Sequence, residues 1–198
     1  MRSPSSRSAT PRKRRETSWA DSQSLTDACR PISLHPPAVV SCRPFLGAAF
    51  GRCYTNVEMM VSAVGGCLVS GWAIWEDRGM TLNCEHHAVW RMPDGEVRCV
   101  TPQLNGEREI VFVLQRHWGS VPNEDALLPY VRAYFLPLSD HPRIRAICDL
   151  LSQSALCVQG SARHTDLRER AITLRDRHLQ KCNDRVRLRE HRRRGHKG

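Results

Sequence analysis

Cys53-Tyr54-Thr55-Asn56-Val57 at one end and His86-His87-Ala88-Val89-Trp90 near the other mark the stretch, Cys53 to Thr101, whose reading decides the fold. Val57, Met60, Val61 and Val64 recur at helical spacing and stop at Gly65-Gly66, which predicts a helix over Tyr54 to Val64 with Cys53 at its start. A thiol at a helix start feels the positive end of the helix dipole, which favours the thiolate. Cys67 to Trp75 is short, apolar and aromatic, as a buried strand is, and Thr81 to Trp90 carries Cys84, Glu85, His86 and His87 into a second strand. Met92-Pro93-Asp94-Gly95 is a turn signal that folds the chain into a third strand, Glu96 to Thr101.

The order of these motifs resembles the transglutaminase-like cysteine peptidase superfamily, which has a papain-like core. The resemblance covers the region from Cys53 to Thr101 and implies Cys53 as nucleophile and His87 as its base. It also implies an orienting acid two residues before Thr101, where this chain has Cys99. The chemistry asks for these residue types. A thiol titrating at about 8.5 is mostly protonated at neutral pH, and an adjacent imidazole that takes its proton makes an ion pair competent for acyl attack. The third group fixes the ring and its tautomer, so a cysteine there bears on activity more than on fold. The hairpin register is open at this point. A two-residue Asp94-Gly95 loop sets His87 opposite Pro102, and a shift of one residue sets it opposite Thr101; only the second puts Cys99 on the face of the histidine.

Cys84 and His86 are low-ranking candidates for a metal site. Strand alternation sends His86 and His87 to opposite faces, so Cys84 and His86 share one. No second half with zinc-finger spacing accompanies them. His117, beside Trp118, is a third histidine near the core and reads as a packing or surface residue.

With 198 residues and 40% apolar content the chain can bury one ordinary core, and four of its five tryptophans, Trp72, Trp75, Trp90 and Trp118, locate that core centrally. The net charge of +10 is confined to the ends. The first 15 residues carry +6, the segment from Arg187 onward carries +5, and residues 16–186 net to −1. Any attraction to nucleic acid or another polyanion therefore belongs to residues 2–15 and 187–197, and would weaken steeply with salt. Pro11-Arg-Lys-Arg-Arg15 suits a nuclear-import patch, an organelle transit peptide or a solvated tail equally. The odd count of nine cysteines lacks a repeating frame and follows no signal-peptide core, which leads to the expectation of free thiols in a reducing, intracellular and cytoplasmic setting. No apolar run reaches the length of a membrane span, and no repeat, phosphate loop, dinucleotide fingerprint or calcium loop is present, so no cofactor is expected.

Three regions are expected. Residues 1–28 are polar and read as a disordered basic tail; 29–138 form the papain-like α+β core; and 139–198 form a helical extension ending in a basic tail. The four prolines between Pro31 and Phe45 make that segment an extended lead-in. Gly106 to Leu114 reads as a fourth strand with a charged approach, and Ala126 to Leu136 is ambiguous. A helix starting at Ser139-Asp140-His141-Pro142, with Asp140 as cap, runs through Ile144, Ile147, Leu150, Leu151 and Leu156 and ends near Gly160. A second, from Thr165 to about Arg194, carries only a thin stripe of Leu167, Ala171, Leu174 and Leu179.

The expected fold is α+β: a helix bearing Cys53 packed on an antiparallel sheet of about four strands, followed by C-terminal helices. The expected function is a thiol-dependent hydrolase or acyl transferase acting on an amide or thioester, with Cys53, His87 and Cys99 as its site. The competing readings are a catalytically inactive or unrelated α+β protein that binds a polyanion or protein partner through its basic ends, and a metal-binding protein using Cys84 and His86.

Overall fold

Helices and strands alternate in the order α1 (Gln23–Cys29), β1 (Ala38–Cys42), α2 (Cys53–Val64), β2 (Cys67–Asp77), β3 (Thr81–Arg91), β4 (Val97–Cys99), β5 (Glu109–Leu114), β6 (Ala133–Pro137), α3 (Pro142–Ala155) and α4 (Ala162–Gly195). The computed structural model describes residues 23–115 and 133–195, the last eight of them by backbone alone; His117 and residues 1–22 lie outside the described residues. The strands are ordered β2-β5-β1-β4-β3-β6, and β2 also pairs with β3. The fold is α+β as expected, but the sheet is a correction. It has six strands rather than about four, β1 runs parallel to β4, and the β2–β3 pairing closes it into a barrel. The expectation fell short because β1 sits in the proline-rich lead-in and gains its strand character from its partners β4 and β5.

The described residues group into two compact units, one from the chain up to Gly71 and from His87 to residue 115, the other from Trp72–His86 and residues 133–195. In the first unit, β1 pairs antiparallel with β5 from Ala38 opposite Phe112 to Ser41 opposite Glu109, and parallel with β4 through Cys42 opposite Cys99. Val57 on α2 packs with Ala88, Trp90 and Val100, with Cys53, Tyr54, Met60 and Val61 against the same cluster. Val57, Met60 and Val61 of the apolar stripe read from the sequence thus form the face that α2 lays on the sheet, while Val64, at the helix end, is exposed. Trp90 extends this packing by donating its indole N–H to the Gly65 carbonyl at 2.9 Å, just where the helix ends. Gly71 lies so close to the Val113 carbonyl and the Phe112 ring that a Cβ would collide with both. Gln23–Cys29 is helical, with Leu25 and Cys29 buried, so residues 23–28 of the stretch expected to be a disordered tail are helical. Leu25 and Cys29, four apart, lie on one helical face, which lets this short polar segment bury an anchor.

In the second unit, β6 pairs antiparallel with β3 from Thr81 opposite Pro137 to Glu85 opposite Ala133. Helix α3 buries Ile144, Ile147 and Cys148, and α4 buries Leu167, Ala171 and His178. The cap of α3 differs from expectation. His141 Nδ1 accepts the Arg143 N–H at 3.1 Å, while Asp140 pairs with Arg145. Pro142 is the first helical residue and holds its predecessor extended, so the cap falls on His141. The helix ends at Ala155, short of Gly160. Arg175 of α4 meets Asp77 at 3.4 Å.

Candidate active site

The β3–β4 hairpin decides which side chains meet. Gly95, at φ +92°, donates its N–H to the Met92 carbonyl, and the Met92 N–H is bonded to the Glu96 carbonyl. The connection is thus the three residues Pro93 to Gly95, a turn closed by a glycine in the left-handed region. Trp90 then faces Arg98 and Arg91 faces Val97. Continued along the strands, this register sets His87 opposite Thr101, the second of the two registers left open by the sequence. Cys99 therefore shares the face of His87.

The three side chains expected at the site converge within the first unit. His87 Nε2 stands 3.2 Å from Cys99 Sγ, with the histidine buried and Cys99 fully so. His87 also interacts with the Cys53 side chain, by hydrogen bonding and by charge. Cys53 is the first residue of α2 and is partly buried. Arg52, at the N-cap, supplies no side-chain acceptor to the first turn. Two backbone N–H groups, of Ala88 and Tyr54, are instead directed at the Cys53 sulfur.

Burial pushes the Cys53 thiol up, but the hydrogen bond and charge of His87 and these N–H groups outweigh it and hold Cys53 below its ordinary range. Burial works against protonation of His87, yet its hydrogen bonds to Cys53 and Cys99 and their negative charge push it up to about 10. The two shifts run in the directions that favour a charged thiol beside a charged imidazole, each partnering the other where it would otherwise be costly.

Three further residues, which the sequence reading did not pick out, complete the surroundings. Asn56, one turn after Cys53 and almost wholly buried, accepts the Ala49 N–H at 3.0 Å and donates to the Ala49 carbonyl at 2.8 Å and to Thr101 Oγ1 at 3.0 Å. It ties the segment before Cys53 to the segment that follows β4. Gln103 Nε2 lies 3.3 Å from Cys99 Sγ and 2.9 Å from the Thr101 carbonyl. Cys42, opposite Cys99 in the parallel register, is hydrogen-bonded to it through sulfur. The available sequence signal for Asn56 was a buried-spacing polar residue beside Val57. For Gln103 and Cys42 there was none, because their approach depends on the unpredicted β1.

Cys84 and His86 are drawn into packing. Cys84 is fully buried, and His86 lies against Trp72 with ring centroids 4.9 Å apart. Among the described residues no group of three or more His, Cys, Asp or Glu side chains is placed to hold a metal ion. Likewise, no described helix is long and apolar enough to cross a membrane. No family model, curated protein or solved structure matches this chain.

Proposed function

We propose that the chain is a thiol-dependent hydrolase or acyl transferase of the transglutaminase-like type, acting on an amide or thioester through Cys53 and His87. The hydrogen-bonded Cys53–His87 pair carries this reading, with its sulfur at a helix start, partly exposed and faced by two backbone N–H groups. In acylation the Cys53 thiolate adds to the carbonyl carbon, and the π electrons move to oxygen. Collapse of that adduct breaks the bond to the leaving group, which takes the proton held by His87. In deacylation His87 removes a proton from water or an acceptor amine, which attacks the thioester and releases the Cys53 thiolate. Cys99 holds the ring so that one nitrogen faces the sulfur throughout.

The test is a panel of peptide amides and acyl thioesters given to the native chain, Cys53→Ser and His87→Ala, with covalent acyl-enzyme sought by mass spectrometry. An acyl adduct on Cys53 that is lost in both variants is the expected result. Turnover that persists in Cys53→Ser, or a complete absence of adducts with all esters and amides tried, would overturn the proposal.

A further inference from the structure

We infer that Cys99 is a positioning residue held as a thiolate, doing with sulfur what an orienting carboxylate would do for His87, and that Gln103 and Cys42 are the donors that keep it charged. The inference rests on the cysteine–histidine reading above and deepens it.

A neutral thiol is a weak acceptor and would hold an imidazolium poorly. Around Cys99 Sγ, however, donors predominate. His87 Nε2 is 3.2 Å away and Gln103 Nε2 is 3.3 Å away, and an amide nitrogen can only donate. Cys42 stands opposite this residue in the parallel register, and it and the Thr101 backbone both favour the charged form of Cys99. The competing acceptor, the Thr101 carbonyl oxygen, is more distant at 3.6 Å and is already engaged by Gln103 at 2.9 Å. A fully buried sulfur approached at 3.2 and 3.3 Å by two ring or amide nitrogens, with its one acceptor at 3.6 Å, is better satisfied as an anion than as a thiol.

The two neighbouring sulfurs are sorted by their surroundings. Cys42 and Cys99 face each other across the parallel β1–β4 pairing, where the Arg43 N–H is bonded to the Cys99 carbonyl, while the Cys42 N–H is bonded on the other side to the Arg108 carbonyl. Cys42 has Cys99 itself and the carboxylates of Glu107 and Glu109 as its charged influences, all of which push its thiol up. Cys99 has the imidazole instead, and it is lowered first by the Cys42 hydrogen bond and then by His87. One cysteine keeps its proton and donates it; the other accepts. The result is a chain of Cys42 S–H, Cys99 S⁻, His87 and Cys53 S⁻, in which the imidazolium lies between two sulfurs.

The experiment compares the native full chain with Cys99→Asp, Cys99→Ser and Gln103→Leu. It reads carbamidomethylation of Cys53 by iodoacetamide against pH, resolved by mass spectrometry, together with ultraviolet thiolate absorbance. The expected result is that Cys99→Ser, whose hydroxyl does not ionise, slows Cys53 alkylation at neutral pH by about tenfold and loses one thiolate from the spectrum. Cys99→Asp keeps the native acid limb and the native rate within about threefold, because the charge is restored. Gln103→Leu, at a partly exposed position that tolerates change, shifts the acid limb upward with the fold intact. A Cys99→Ser chain with native Cys53 kinetics and an unchanged thiolate spectrum overturns the inference while leaving the cysteine–histidine reading standing. A native Cys53 that is itself unreactive overturns that reading and the inference with it.

Discussion

Replacing Asn56 by alanine removes the connection between the segment that leads into the nucleophile and the segment that follows β4. Three hydrogen bonds are lost, to the Ala49 N–H, the Ala49 carbonyl and Thr101 Oγ1, all at 2.8–3.0 Å from a side chain only 1% exposed. Each such bond contributes about 1 kcal/mol net, and stranding the Ala49 backbone groups adds to that, so Asn56→Ala should destabilise the chain by about 2–4 kcal/mol. Urea denaturation followed by tryptophan fluorescence checks this, with a lower midpoint and an unchanged slope. Asn56→Asp sharpens the test. The carboxylate still accepts from the Ala49 N–H but meets the Ala49 carbonyl without a donor, so its protonated form is the one that fits. A folded-state pKa raised in this way means that stability recovers as pH falls below the ordinary carboxylate range and is lost as pH rises through the raised value. A loss below about 0.5 kcal/mol in Asn56→Ala, the size expected of a surface change, would refute the role given to this residue.

The remaining predictions concern the sheet and the titration of the site. Gly71→Ala drives a methyl group into the Val113 carbonyl and the Phe112 ring, and thermal unfolding should show a loss of about 1–3 kcal/mol. Trp90→Phe keeps most of the apolar packing but deletes the bond to the Gly65 carbonyl, and denaturation should register about 1–2 kcal/mol. Turnover of an amide or thioester substrate should follow a bell in pH. Its acid limb lies below the ordinary thiol range, where the Cys53 thiolate is protonated, and its alkaline limb near 10, where His87 loses the proton it must donate.

Much of the local structure was legible because its causes are local. The stripe Val57, Met60, Val61 ended by two glycines gave α2, and the aromatic runs on either side of Arg78-Gly79 gave β2 and β3. The convergence of Cys53, His87 and Cys99 followed from the hairpin, whose register the sequence narrowed to two choices; a three-residue loop with Gly95 at positive φ selected one. Contributions that depend on distant pairing were not legible. The strand β1 is a strand because β4 and β5 flank it, and without β1 there was no reason to bring Cys42 to Cys99. Asn56 could not be given its role from the sequence, since its three bonds reach partners seven and 45 positions away. The short helix α1 escaped notice because its buried anchors are only Leu25 and Cys29 in an otherwise polar segment.

The account stands on Cys53 and His87 forming an ion pair. The most direct measurement is the alkylation rate of Cys53 as a function of pH in the native chain and in His87→Ala, with mass spectrometry separating Cys53 from the other eight cysteines. The account predicts a thiolate that persists well below the ordinary thiol range in the native chain and a rate at least about tenfold slower at neutral pH in the variant. An ordinary thiol titration at Cys53, unchanged by the loss of His87, would contradict it.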